Sequence, residues 1–405
     1  MLVCAVFQWL LPQGAGLVLY AINMDFTLTA EQQMLKDLCR DFARKEIAPY
    51  ADEWFDAAYF PVEVFRKLAD LRLMGLLIPE EYGGTDAGTV AMVAALEELG
   101  KVDQSIATVL QAHLTIGSLP FLHFGSEEQK RRWLVPLARG ERLGAFGLTE
   151  PQAGSDAANI QTTAYLDGDF WVINGTKSFI SNAGTPLSYG LVALATTGKT
   201  ADGKKRYSAF IIPKGTPGYT IGKPYKKIGW HMVDTREQVF DNVRLPRDHL
   251  LGQEGAGFRA FMKTLECGRI SVATLGLSLA EACLDMALKY ALERKTFGKP
   301  LASHQAIQFK LADMATQAEM AKLMVYRAAW LRDQGQPYAK EAAMAKLAAS
   351  EIAVRAAEEA VQIHGGYGYT REFPVSRFYL DSKILTIGEG TSEVQRMVIA
   401  RQLGC

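Results

Sequence analysis

The segment Asp167-Gly168-Asp169-Phe170-Trp171-Val172-Ile173-Asn174-Gly175 interrupts a helical pattern that holds on both sides of it. Asp-Gly and Asn-Gly are hairpin dipeptides, because both central residues of a type I′ turn need positive φ. The two therefore predict turns that bracket a short strand at 170–173. Further strands are read at 190–195, 207–212 and 238–240, separated by Gly, Pro and Lys clusters. The period is two across this region, so residues 143–252 are expected to form a small antiparallel β domain.

Upstream, residues 24–142 read as helix. Leu35, Leu38, Phe42 and Ile47 recur at near 3.6-residue spacing, Pro49 ends that run, and Phe65, Leu68 and Leu71 open another before the loop 79–84. The pattern continues over 90–99 and 105–121, and Ser126-Glu127-Glu128-Gln129 starts a further helix with acids in its first turn. Thr29 and Gln32 make a capping box. Residues 1–23 carry no charged side chain, and Pro12-Gln13-Gly14 breaks their apolar run near its middle. They fit neither a secretory nor a transit signal, nor a membrane span or surface anchor. Met24 is expected to be the start, with 1–23 a non-native or disordered extension.

Downstream, residues 253–405 return to helix in longer pieces: 258–294, then a helix capped by Ser303 and running to about 332. Pro337 opens an Ala-rich third that stops at Gly365-Gly366, and 391–403 is the last. Long helices with short links pack most simply as an antiparallel bundle. The order α, β, α makes this an α+β multidomain chain.

Composition narrows the function. The 405 residues carry 44 Lys+Arg against 44 Asp+Glu, so no net field collects a polyanion, and nucleic acid is not expected as a partner. At about 100–200 residues per domain the chain holds roughly two to four domains, each large enough for its own core. Five cysteines without C-x-x-C spacing indicate neither a disulfide framework nor zinc, and a reducing compartment fits. The six histidines never fall at metal-ligand spacing. Gly252–Gly257 has the wrong spacing for a dinucleotide fingerprint, and Gly198-Lys199-Thr200 has Ala193 where a P-loop needs its first glycine.

Three strings remain. Gly147-Leu148-Thr149-Glu150-Pro151-Gln152-Ala153-Gly154-Ser155-Asp156 is an extended segment followed by a loop of donors; composition alone favours an ordinary β-turn. Gln362-Ile363-His364-Gly365-Gly366-Tyr367-Gly368 places three glycines at a helix end, where a C-cap needs one. In Ile387-Gly388-Glu389-Gly390-Thr391-Ser392-Glu393 a carboxylate lies between two glycines just before a helix, as a dipole partner or as a base projecting into a cavity.

Taken together, these strings, with 174–182, Arg294-Lys295-Thr296-Phe297-Gly298 and His304-Gln305, resemble the acyl-CoA dehydrogenase family over essentially all of 24–405. The resemblance implies an N-terminal helical domain, a β-barrel-like middle domain and a C-terminal four-helix bundle, assembled as a homotetramer. It implies FAD-dependent oxidation of an acyl-CoA to the trans-2-enoyl-CoA, with electrons passed to an electron-transfer flavoprotein. Glu389 matches the base that removes the α-proton while the β-hydride goes to flavin N5. The minority position for that base is Gly268 here, which cannot take a proton.

By the same resemblance, Leu148, Thr149, Phe179 and Ser181 line the flavin, Phe179 standing where many members carry Trp. Arg294, Phe297, Gln305, Gln362 and Gly366 match positions a neighbouring subunit contributes around the FAD pyrophosphate and adenosine, and Thr391 and Glu393 are also assigned to the cofactor. Ser155, Glu266, Arg269, Gly388 and Gly390 are assigned to the acyl-CoA. Gly388 stands where many members have tyrosine, which either leaves room for a branched short acyl group or is filled by a neighbouring side chain with specificity unchanged. Asn159 departs from the usual small residue.

The acyl pocket is expected between 94–110 and the first long C-terminal helix, and no arginine in 102–110 is present to hold a distal carboxylate. By resemblance, short- to medium-chain thioesters, branched ones included, are the expected substrates, and the expected location is cytoplasmic, or the mitochondrial matrix in a eukaryote. An oxygen-using oxidase or monooxygenase of the same fold and a non-catalytic scaffold are the competing readings; Glu389 and the chain length favour the dehydrogenase.

Overall fold

The computed structural model describes residues 27–405; the extension 1–23, the start at Met24 and Cys4 lie outside the described residues. The first helices are α1 (Ala30–Phe42), α2 (Ala51–Ala57), α3 (Val62–Asp70), α4 (Gly88–Val102), α5 (Gln104–Ala112), α6 (Leu119–Phe124), α7 (Glu127–Gln129) and α8 (Val135–Ala138). The expected capping box forms, with Gln32 N–H donating to Thr29 Oγ1 at 3.3 Å and Thr29 N–H to Gln32 Oε1 at 3.0 Å, and Ser126 and Gln129 make a second. Three π segments, Ala43–Ile47, His113–Gly117 and Lys130–Leu134, interrupt the runs. Such a turn rotates the apolar stripe beyond it, so strict 3.6-residue counting misplaces side chains. Leu38, expected inside, is 41% exposed. Lys36 is buried instead, its Nζ 2.6 Å from Glu97 of α4, so an ion pair sets that face of α1.

The sheet comprises β1 (Phe146–Gly147), β2 (Thr163–Asp167), β3 (Phe170–Ser181), β4 (Gly190–Lys199), β5 (Lys205–Pro213), β6 (Tyr219–Pro224), β7 (Thr235–Pro246) and β8 (Leu250–Leu251). They pair in the order β6-β7-β3-β2-β4-β5-β8; most pairs are antiparallel, but β1 and β2 both meet β4 in parallel. Gly168-Asp169 turns the β2–β3 hairpin, with Asp167 opposite Phe170.

Asn174-Gly175 does not turn the chain. β3 runs straight through it, and its register against β7 slips between Ile173 and Gly175. A Cβ at Gly175 would lie 2.4 Å from Thr162 Oγ1. The dipeptide therefore marks a bulge with close backbone approach, which turn chemistry alone does not distinguish from a hairpin.

β4 and β5 are buried on both faces. Leu191, Ala193, Phe210 and Ile212 join Trp171 and Phe240 in the sheet's own core, while Val192, Leu194, Ala209 and Ile211 pack into the helical core.

The last region holds α9 (Gly257–Glu293), a hairpin of β9 (Lys295–Thr296) and β10 (Lys299–Pro300), then α10 (Gln305–Asp333), α11 (Ala339–His364), α12 (Val375–Ser382) and α13 (Ser392–Leu403). Ser303 is not the cap of α10. It closes a 3-10 turn, and His304 occupies the N-cap without a side-chain bond. Separate cores for each helical region were expected, but α4 and α5 share one core with α9 to α11 through Leu96, Leu99, Ile106, Leu275, Leu279 and Ala349. Alanines make this possible: Ala342, Ala345, Ala349, Ala353 and Ala356 line α11, and a Cβ at Gly276 of α9 would lie 2.7 Å from the Ala349 carbonyl oxygen. Two stretches, Gln104–Phe124 and α9, are long and apolar enough to cross a membrane, and 89% and 78% of their windows are buried inside the fold.

Candidate active site

Glu389 lies between α12 and α13 in a left-handed backbone conformation (φ 51°), followed by Gly390 at φ 98°. For a non-glycine residue this costs of order 1–3 kcal/mol and persists only when neighbours enforce it. Here Lys346 Nζ and Gln395 Nε2 both donate to the Gly390 carbonyl oxygen, at 2.7 and 2.8 Å. A Cβ at Gly390 would lie 2.6 Å from Gln395 Nε2, so glycine is needed there twice over. At Gly388 the nearest atom to a Cβ is the Ile384 carbonyl oxygen at 3.6 Å, an ordinary contact that leaves space for a side chain.

The Glu389 residue as a whole is part-exposed, but its carboxylate faces inward. Oε1 accepts from Gln111 Nε2 at 3.1 Å, while Oε2 is shielded from solvent and has no hydrogen-bond partner. A Cβ at Gly268 would lie 2.1 Å from that Oε2 and 3.2 Å from Ile116 Cγ2. Burial raises the carboxyl's pKa; the Gln111 hydrogen bond and the charges of Lys346 and Arg269 offset only part of that rise. Among the described residues the Glu389 backbone N–H donates to nothing. The site thus offers a proton acceptor and an N–H donor side by side.

Of the residues assigned to the acyl-CoA, Arg269 is buried one residue beyond Gly268 and its Nε lacks a partner. Glu266, one turn earlier on α9, is held by Lys263 at 2.7 Å. Ser155 lies on an exposed loop, and Gly154 beside it has open space around it. Thr391 caps α13 by accepting from Val394 N–H, and Glu393, not Glu389, is the first-turn acid facing the helix dipole.

Leu148 and Thr149 leave the end of β1 as an extended segment tied to β3: Ser178 N–H donates to Thr149 O at 2.8 Å and Lys177 Nζ to Leu148 O at 3.1 Å. Their own N–H groups donate to no group among the described residues. Phe179, on β3, is 63% exposed at φ 59°, tilted against Tyr225 at 5.0 Å, and Ser181 Oγ meets Thr235 Oγ1 at 3.4 Å.

Arg294, Phe297, Gln305, Gln362 and Gly366 are exposed in the single chain and are not brought to Glu389. They gather at the far end of α9, where the Arg294 guanidinium lies 5.9 Å from the Tyr367 ring and Phe297 is 97% exposed at φ 50°. Among the three glycines here, Gly365 takes positive φ at the helix end and Gly368 packs against Val361 O, where a Cβ would sit at 2.5 Å. Gly366 meets nothing within 4 Å.

Sequence reasoning missed Gln111, Ser271, Lys346 and Gln395, all buried polar residues inside helices. A lysine amid alanines in 339–364 was the one visible signal. Burial pulls its pKa down to about 8 against the opposing pull of Glu389. Two hollows of about 530 and 510 Å³ beside Trp133 lie away from Glu389. No group of three His, Cys, Asp or Glu among the described residues is placed to hold a metal.

Comparison with known proteins gives the family. Models of the acyl-CoA dehydrogenase N-terminal, middle and C-terminal domains match residues 29–141, 145–243 and 255–404. YngJ of Bacillus subtilis, a probable acyl-CoA dehydrogenase, is 50% identical over 94% of this chain and 100% of its own. A short-chain specific acyl-CoA dehydrogenase of Clostridium acetobutylicum is 43% identical over 94% and 100%. The structure of butyryl-CoA dehydrogenase from Megasphaera elsdenii superposes with a TM-score of 0.91 at 43% identity, covering 94% of this chain and 100% of that one. The chain belongs to the acyl-CoA dehydrogenase family, whose members are FAD-dependent enzymes.

Proposed function

We propose that the chain oxidises short acyl-CoA thioesters, straight or singly branched, to the trans-2-enoyl-CoA, with Glu389 as the base. The observation that carries this is the unpartnered, shielded Oε2 of Glu389 beside a free backbone N–H. A thioester α-proton is too weakly acidic for a carboxylate in water. Desolvation strengthens the base, and the N–H stabilises charge developing on the thioester oxygen. Oε2 takes the α-proton as the Cα–H bond breaks and its electron pair moves into the new Cα=Cβ bond. Arg269 and Glu266, on the same stretch of α9, orient the CoA arm, with Ser155 approaching from its loop.

The residues present fit FAD. The exposed Phe179 ring is an apolar floor for a flat heterocycle, and the unused N–H groups of Leu148 and Thr149 and the loosely engaged Ser181 hydroxyl face hydrogen-bonding edges. When bound, FAD supplies the acceptor for the β-hydride at N5, and its electrons then pass to an electron-transfer flavoprotein. The short-chain assignment is supported by the two relatives named for such substrates. The opening at Gly388 supports acceptance of a branch, each buried methyl-sized group being worth about 0.8 kcal/mol.

Glu389→Gln tests the reading. It is expected to keep FAD and bind acyl-CoA while kcat falls on the order of 10²–10⁴-fold. Turnover of butyryl-, isobutyryl-, isovaleryl- and hexanoyl-CoA by the native enzyme tests the substrate class. More than about a tenth of wild-type kcat in the variant would overturn the base assignment.

A further inference from the structure

We propose that Gln111, locked by Ser271, is a positioning residue that aims the Glu389 carboxylate and keeps it ionised; this rests on Glu389 being the base. Gln111 is 2% exposed near the end of α5, and both ends of its carboxamide are engaged. Nε2 donates to Glu389 Oε1 at 3.1 Å, and Oε1 accepts from Ser271 Oγ of α9 at 2.6 Å. The Ser271 hydroxyl has a single proton, for which the Gly268 carbonyl oxygen of the same helix, at 2.8 Å, competes with the nearer Gln111 Oε1; Thr115 Oγ1 lies 3.5 Å away.

The polarity of this chain of bonds runs one way. An ionised carboxylate only accepts, which selects the Nε2 end of Gln111 toward Glu389; the opposite oxygen then requires a donor, and Ser271 supplies it. Two consequences follow for the base. With Oε1 tied, rotation of the carboxylate is fixed, and Oε2 is the atom left to take a proton. An amide N–H also stabilises the carboxylate more than the neutral acid, which opposes burial. The other charged groups facing the carboxyl are Lys346 from α11 and Arg269 from α9. Neither hydrogen-bonds to it: Lys346 is committed to the Gly390 carbonyl, and the Arg269 Nε has no partner. Gln111 is the one direct donor to the carboxylate among the described residues.

The experiment is the pH dependence of kcat/KM for butyryl-CoA on the FAD-loaded enzyme, compared with Gln111→Leu and Ser271→Ala, with FAD content and Tm checked for each. For Gln111→Leu, losing the donor is expected to move the acid limb upward by about one pH unit, a tenfold loss of the ionised fraction below the midpoint, with KM little changed. Ser271→Ala, which removes one hydroxyl, should shift it the same way by less. An acid limb that overlays the wild type in Gln111→Leu overturns the proposal; if that variant fails to fold, an unmoved limb in Ser271→Ala does so. The Glu389→Gln control separates the two failures. An inactive Glu389→Gln with unmoved limbs removes only the role of Gln111, whereas an active one removes the base and this inference with it.

Discussion

Gly268 faces the Glu389 carboxylate with nothing between them, and this pairing decides what substitution there does. The atom that a new Cβ would strike, at 2.1 Å, is the free end of a flexible side chain and not backbone. Gly268→Ala is therefore expected to displace the carboxylate while leaving the fold intact. Tm and FAD content should stay near wild type and kcat should fall at least tenfold, a displaced base forfeiting much of its roughly 10²–10⁴-fold contribution. Full turnover in Gly268→Ala, measured with butyryl-CoA, would show that the carboxylate sits elsewhere when substrate is bound. Glu389 itself was legible because its two glycines and the helix start are sequence features. Its left-handed φ was not, nor that Phe179 and Phe297 share it, since none of the three is a residue type that advertises positive φ. Gln111 and Ser271 escaped for another reason: a polar residue in an apolar helix looks the same in sequence whether it faces a base or another buried hydroxyl, as Gln104 faces Ser278 at 3.0 Å.

Among the elements, β3 shows how one buried pair holds a working segment in place. Lys177 is fully buried, and its Nζ donates to Glu150 Oε1 at 2.7 Å as well as to the Leu148 carbonyl. Glu150 also accepts from Gln161 N–H at 2.6 Å and Thr162 N–H at 3.0 Å. Burial pushes the Glu150 carboxyl up, but Lys177 and these donors outweigh it and hold it below its ordinary range. Lys177→Met would strand a buried carboxylate, at a cost of about 3–5 kcal/mol, and would loosen the 148–150 segment. The expected result is a lowered Tm together with weaker FAD retention. A variant with unchanged Tm would show that Glu150 finds another partner or a proton. The same strand marks the limit of turn chemistry: Asn174-Gly175 carries the signal of a type I′ turn, yet β7 on the far side of β3 supplies pairing that keeps the chain extended through it. β2 and β6 were not read because they are short, with mostly exposed or half-buried faces, and give little alternation to detect. Helix order survived because long apolar periodicity does not depend on register.

At the scale of the molecule, α9 acts as a ruler. Glu389 meets it at Gly268, and the Leu148–Thr149 segment sits against its first turns through Phe146, whose ring stacks on Phe261 at 4.1 Å. Arg294 caps the opposite end. The 26 residues from Gly268 to Arg294 span about 39 Å at 1.5 Å per residue, farther than one FAD molecule reaches. If Arg294, Phe297, Gln305, Gln362 and Gly366 serve a cofactor, it is that of another copy of the chain. Their exposure in the single chain, with Phe297 at 97% and open space where a Gly366 side chain would project, is what such a shared site requires. We therefore propose a homo-oligomer, a tetramer by resemblance, in which each FAD is clasped by two chains. Arg294→Ala removes a guanidinium that forks onto phosphate oxygens and leaves the helix to its cap, so it is expected to weaken FAD binding severalfold with little change in helicity. The cofactor should also leave as the protein is diluted to monomers. Following flavin fluorescence and mass together through a dilution series tests both points at once: a monomer that holds FAD stoichiometrically, or an Arg294→Ala enzyme with unaltered FAD affinity, would mean that the exposed face at the end of α9 has some other use.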